Sequence, residues 1–358
     1  MPKQPQPNAR SRYQTHGTLQ RRWAATGRKL AFRARTPAEF VAWRRRTLKC
    51  LRELLGYNTM ERAPLRPRIL ETTDVGDHIR RRAEIQVEPG HWMPFYILEP
   101  KTGSAPYPAM ICPHGHGAGG KLEVVGCRDV PAIAARIAEA NSDYGVQFAR
   151  AGFMVFCPDA RGFGERQEEP IFNRNNITAS SCEIINHMAI PLGRTITGLW
   201  AWDLHRLIDY IQTRKDCRAD AIGCAGISGG GNQTLYATAL DPRIKACVIS
   251  GYFYGAREAL LDLSENCSCN FVPHLWEYLD MGDIAATVAP RPILIETGTL
   301  DSLNGRRGAV NAREQVRTVR KAYRLFGAQR HVLHDVFEGD HVWHGTEAIP
   351  WMQRWLMG

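Results

Sequence analysis

The stretch Gly226-Ile227-Ser228-Gly229-Gly230 constrains this chain more than any other. It follows the apolar run 221–225 and precedes Asn232-Gln233-Thr234-Leu235-Tyr236-Ala237-Thr238-Ala239-Leu240, a segment of helical spacing closed by Asp241-Pro242. The order is therefore strand, tight turn, helix. Small residues two before and two after the serine are what such a crowded turn needs if Ser228 Oγ is to stand above a sheet, as in a nucleophile elbow. The bland alternative is a glycine-rich turn with a capping serine.

A serine hydroxyl is a poor nucleophile unless a histidine takes its proton and an acid orients that histidine. Downstream, 292–298 reads as a strand ending in glycine, and Asp301 follows in the loop where the acid belongs. The run 332–337 reads as the last strand, and Glu338-Gly339-Asp340-His341 brings a histidine to the same sheet edge. The expected triad is Ser228, Asp301 and His341, all on loops after strands, where ligands bind in open α/β sheets. His344 is the second candidate base, and Asp340 and Glu296 are the competing acids.

The developing oxyanion needs donors. One is the backbone N–H of Gly229. The other is expected from the loop after an earlier strand, Pro113-His114-Gly115-His116-Gly117, with His116 N–H first and Gly117 next. His114 and His116 have the look of half a metal site, but no H-E-x-x-H occurs and no metal is expected. Cys267-Ser268-Cys269 is the only close cysteine pair and lacks a second pair at zinc-finger spacing. No organic cofactor is implied, since no G-x-G-x-x-G follows a strand and there is no P-loop.

Length and charge bound the rest. At 358 residues and 44% hydrophobic content the chain fits one large α/β domain with additions. Of its net charge of +10, residues 1–36 carry nine Lys or Arg and no acid, so the body is nearly neutral and no nucleic-acid partner is expected. That segment is expected to be a solvated, flexible arm. No transmembrane or signal segment is read, and Cys112, Cys157, Cys224 and Cys247 fall in strands as small apolar groups, which favours a reducing cytoplasm. A disulfide involving Cys267 or Cys269 stays open, as does homo-oligomerisation.

Pro37 to Gly56 reads as an amphipathic helix within an N-terminal extension, 37–67, ahead of a catalytic domain over 68–358. A hairpin around Pro89-Gly90 opens the sheet. Strands are expected at 109–112, 153–157, 221–225, 245–250, 292–297 and 331–337. Helices are expected at 130–151, 195–213, 229–240, 307–327 and 346–356. This alternation specifies a mostly parallel central sheet flanked by helices. Two insertions interrupt it: 162–193, with Asn173, Asn175, Asn176 and His187, and 252–288, with Tyr252, Tyr254, Cys267, Cys269, His274 and Trp276. Such insertions shape a pocket on the strand-end side.

With these residues placed, the chain resembles the α/β-hydrolase superfamily over about residues 80–345, in the dienelactone-hydrolase-like branch that contains acetyl xylan esterases. The resemblance rests on the 113–117 loop, Pro158-Asp159-Ala160-Arg161-Gly162-Phe163-Gly164, Gly198-Leu199-Trp200-Ala201-Trp202-Asp203, the serine elbow, and Asp283-Ile284-Ala285 leading to Ala289-Pro290-Arg291-Pro292. It implies a brace by Asp159 and Arg161 beside the site, and Asp203 and Arg206 are read as another. Dienelactone hydrolases carry cysteine where this chain has Ser228, so esters rather than lactones are implied, with small acyl esters such as acetylated sugars as substrates. The alternatives are a peptidase or amidase of prolyl-oligopeptidase type, against which Gly231 departs from the usual aromatic-Gly-Gly elbow, and a non-hydrolytic binding protein on the same fold.

Overall fold

The computed structural model describes residues 13–117, 119–169, 176–262 and 266–358. Its frame is a nine-stranded sheet: β1 (Arg68–Asp74), β2 (His78–Glu88), β3 (His91–Pro100), β4 (Tyr107–Ile111), β5 (Met154–Pro158), β6 (Cys217–Ile227), β7 (Ile244–Ser250), β8 (Ile293–Gly298) and β9 (Val332–Phe337), in the order β1-β2-β3-β5-β4-β6-β7-β8-β9. The first three strands join antiparallel, ending with β3 on β5, and β5 to β9 run parallel. Strand order reverses at β4, whose neighbours are β5 and β6. A crevice opens at the carboxyl ends of strands at such a reversal.

The helices are α1 (His16–Thr26), α2 (Pro37–Leu54), α3 (Pro131–Ala140), α4 (Tyr144–Arg150), α5 (Cys182–Ala189), α6 (Ile196–Ile211), α7 (Gly229–Leu240), α8 (Leu275–Tyr278), α9 (Met281–Ala286), α10 (Ala309–Arg324) and α11 (Ala348–Leu356). Strand side chains alternate between two cores, as the pleat requires. Met110, Val155, Val248 and Leu294 face α4 and α11, with Phe148, Trp351 and Met352. Their neighbours Ile111, Phe156 and Ile222 face α6, and Cys247, Ile249 and Ile295 face α7, α9 and α10.

Three departures from expectation have local causes. The helix expected over 130–151 breaks at Asn141, which takes a left-handed φ of +51° and donates to Trp343 O at 3.0 Å. Asparagine tolerates that conformation better than most side chains. Strand β1 carried no periodic signal because it is exposed on both faces at the sheet edge. The expected arm is a correction: among its described residues, Trp23 meets Trp276 edge-on at 5.4 Å, Arg28 pairs with buried Asp283 at 2.9 Å, and Phe32 packs on Phe40 and Trp43. Aromatic residues spaced among the arginines make it a strap over α2, α8 and α9. Residues 1–12, with Lys3, Arg10 and Arg12, lie outside the described residues, as do Asn173 and Asn175. No helix among the described residues is long and apolar enough to cross a membrane.

Candidate active site

Ser228 sits between the end of β6 and the start of α7 with φ +59° and ψ −122°. Such a conformation costs a non-glycine residue about 1–3 kcal/mol and persists only where its surroundings over-determine it. Here the Ser228 amide donates to Ser250 O on β7 at 3.0 Å and its carbonyl accepts from Asn232 N at 2.9 Å. The flanking glycines are sterically obligatory. A Cβ on Gly230 would lie 2.1 Å from Pro113 O, and one on Gly231 would lie 2.7 Å from Tyr252 Cβ. The turn is thus wedged between the loop after β4 and the loop after β7.

The expected acid and base arrive together from adjacent strands. Beyond the β8–β9 pairing, Thr299 N donates to Phe337 O at 3.0 Å and Leu300 N to Gly339 O at 2.9 Å, so the two loops run on as a ladder. Asp301 is buried; its Oδ1 accepts from Leu303 N at 2.9 Å, and its Oδ2 lies 2.8 Å from His341 Nδ1. An Nδ1–H donated to a carboxylate leaves Nε2 as the accepting nitrogen. The His341 ring lies over Gly251, whose Cβ would come within 2.9 Å of it.

Ser228 and His341 line one cavity of about 330 Å³ together with Gly229, His116, Tyr252 and Tyr254. Gly229 is the first residue of α7, where an N–H has no intrahelical acceptor, and the position of its missing Cβ is 3.5 Å from His116 N. The two expected oxyanion donors are therefore neighbours. Gly117, the next expected donor, has φ +70° and does not border the cavity.

The competing residues are placed elsewhere. His344 Nδ1 lies 2.6 Å from Asp335 Oδ2, its ring stacks on Phe337 at 4.3 Å, and it is outside the cavity lining. Asp340 accepts from the His341 amide, and buried Glu296 accepts from Gly345 N at 2.9 Å. His114 is fully engaged: Nε2 accepts from Ala160 N at 3.0 Å and Nδ1 faces Gly115 O at 2.8 Å, which fixes the neutral Nδ1–H tautomer. Burial lowers its pKa accordingly. His114 and His116 therefore do not converge on a common point.

Behind the site lies a charged brace. Arg161 pairs with Asp203 at 2.8 Å and with Glu88 at 2.8 Å, and Arg166 reaches Asp203 at 2.7 Å. Burial works against the Asp203 carboxylate, but the two guanidinium groups prevail and hold its pKa down at about 2. Asp159 is paired with Lys121 at 2.5 Å, both fully buried. Arg206, expected in the brace, instead pairs with Asp209 and donates to Ala63 O. Two residues escaped sequence reasoning. Tyr144 lines the cavity and donates to Pro113 O at 2.6 Å, and Cys182 meets Cys267 across 3.5 Å. Neither carried a local signal, since their partners lie 31 and 85 positions away.

The sheet order, the helices on both faces and a serine on a strand-to-helix turn define an α/β-hydrolase. The chain belongs to the Abhydrolase family, whose profile matches residues 8–337. It is 27% identical over 315 residues to the Bacillus subtilis (strain 168) protein named "Putative hydrolase YtaP", across 86% of this chain and 98% of that one. Among solved structures it is similar to a "putative acetyl xylan esterase" from Bacteroides fragilis, with TM-score 0.74 and 19% identity over 91% of this chain and 82% of the other. It is also similar to a glucuronoyl esterase from Solibacter usitatus, with TM-score 0.66 and 14% identity over 91% and 96%. At such identities the likeness is one of fold.

Proposed function

We propose that this protein is a serine carboxylic-ester hydrolase acting on small acyl esters, with acetylated sugars as the leading substrate class. The observation that carries the reading is the 2.8 Å Asp301–His341 contact beside a cavity shared by His341 and the strained Ser228. In this reading Ser228 Oγ attacks the acyl carbonyl and His341 Nε2 takes its proton. His341 then gives that proton to the leaving alcohol and afterwards activates water, while Asp301 stabilises the imidazolium. The Gly229 and His116 amides receive the oxyanion. A cavity of about 330 Å³ lies at the small end of ligand pockets, which supports a short acyl group. The esterase names of the solved neighbours support carbohydrate esters.

A fluorophosphonate probe should label the protein at Ser228, and p-nitrophenyl acetate should be cleaved faster than longer acyl esters. Acetylated sugars should be turned over and aminoacyl amides left intact. Labelling with faster amide cleavage would make it a peptidase or amidase; absence of labelling would make it a binding protein.

A further inference from the structure

Outside the triad, four soft or borderline donors converge from three distant segments. They are His116 on the loop after β4, Cys182 at the start of α5 in the first insertion, and Cys267 and Cys269 in the second. Their ligand atoms all lie within 4.8 Å of one another. We propose that these four residues form a closed Cys₃His site for Zn²⁺ that fastens both insertions to the loop carrying the His116 amide.

The dimensions fit. Tetrahedral Zn²⁺ with Zn–S near 2.3 Å and Zn–N near 2.0 Å requires edges of about 3.8 Å between sulfurs and about 3.6 Å between sulfur and nitrogen. The Cys182–Cys267 sulfurs are 3.5 Å apart, and Cys269 Sγ is 3.6 Å from His116 Nε2. The ring is held for this use. Phe163 and Trp200 flank it at 5.1 and 6.2 Å, and with Nε2 toward the thiols its Nδ1 faces Gly229.

Outer contacts also aim the ligands. Asn270 Nδ2 donates to Cys269 Sγ at 3.7 Å and to Cys267 O at 3.0 Å. Asn186 on α5 donates to Ser268 O at 2.8 Å, and Thr197 on α6 to Cys269 O at 2.8 Å. A disulfide between Cys182 and Cys267 would leave the convergence of Cys269 and His116 without a purpose. Binding releases three thiol protons to solvent and leaves three thiolates and a neutral imidazole on the ion. With four protein ligands there is no open position, so the ion's part is structural. Zinc-finger spacing did not reveal the site because only Cys267 and Cys269 are close in sequence.

The full chain, purified under reducing conditions, should contain zinc equimolar with protein by mass spectrometry. Replacement by Co²⁺ should give the visible absorption of tetrahedral cobalt with thiolate charge transfer. Asn270→Ala should weaken zinc binding by about 10–100-fold, and Cys269→Ser should abolish the thiolate cobalt spectrum in a chain whose circular dichroism shows it folded. The wild-type cobalt spectrum decides the matter even if that variant does not fold. A reduced wild-type chain that takes up neither metal overturns the proposal, as does a Cys182–Cys267 disulfide in a chain that stays metal-free after reduction. None of these readouts depends on ester turnover.

Discussion

His341 and His344 stand three residues apart, and each holds a carboxylate through Nδ1, at 2.8 Å from Asp301 and 2.6 Å from Asp335. The difference lies in where the acid comes from. Asp301 is on a loop beyond the carboxyl end of β8, so the ring it holds overhangs the cavity. Asp335 is within β9, in register with Glu296, so the ring it holds is drawn back against the strand and lies flat on Phe337. Both His344 nitrogens are engaged, the second with Thr346 Oγ1 at 3.3 Å, whereas His341 Nε2 has no hydrogen-bond partner among the described residues. The histidine–carboxylate pair is common to both places, and the proposed catalytic role of His341 rests on the position of its free nitrogen.

The largest effect should come from His341→Ala, with Ser228→Ala beside it. Each should lower kcat on a small ester by about 10⁴- to 10⁶-fold without unfolding the protein, because nucleophile and base act as one unit. A His341→Ala enzyme retaining more than a few per cent of activity would break the comparison outright. Next comes the pair of acids. Asp301→Asn should cost about 10³- to 10⁴-fold by stabilising the wrong imidazole tautomer. Asp335→Asn should leave kcat/KM within about threefold; steady-state kinetics on the two variants side by side would show it if their roles were exchanged.

The contrast explains what could be read in advance. Strands β4 to β8 were legible because their apolar runs are buried on both faces and bounded by glycine and proline, and the half-buried edge strand β9 because it follows in the same alternation of helix and strand. The elbow was legible because its glycines answer a local steric demand. That Ser228 and His341 would meet at one cavity, with Asp301 behind the histidine, could be expected from chain order and position after strands, and their roles remain the proposal made above. The rest depends on contacts distant in sequence. Strand β1 has no buried face to betray it, and residues 1–36 looked like a solvated arm because their nine cations outweighed a few aromatic side chains. Cys182 joins Cys267 and Cys269 only when α5 folds against the second insertion.

A third test concerns stability rather than rate. Glu296 is buried beneath the His344 pair, and burial first, then the neighbouring Asp335, pushes its pKa up from 4.5 to about 7. In the unfolded chain the group ionises at its ordinary value, while in the folded chain it stays protonated until near neutrality. Folding stability is therefore fully present at acid pH and is lost as pH rises from the ordinary value through about 7, by about 3 kcal/mol in all. Glu296→Gln keeps an acceptor for Gly345 N–H and removes the titration. Denaturant midpoints should show the variant gaining on the parent between pH 5 and pH 8 while its kcat matches the parent's at each pH. A constant difference across that range would mean that Glu296 is not the titrating group.

The smallest effect should come from His344→Ala. Its ion pair with Asp335 is partly exposed, with side chains 31% and 15% accessible, and such pairs contribute roughly 0–1 kcal/mol because solvent screens them. The ring's stacking on Phe337 adds a contribution of similar size, about 0.5–1.5 kcal/mol. Neither contact touches the cavity, so turnover should stay within about threefold of the parent while the thermal midpoint falls by a few degrees, the shift about 1–2 kcal/mol produces in a chain of this size. Because β9 carries Asp335 and its end leads into the loop that holds His341, the variant also tests whether the two regions are independent. A drop in kcat beyond tenfold with an unchanged midpoint would mean that His344 shares the proton transfer; a lowered midpoint with full turnover would leave that work to His341.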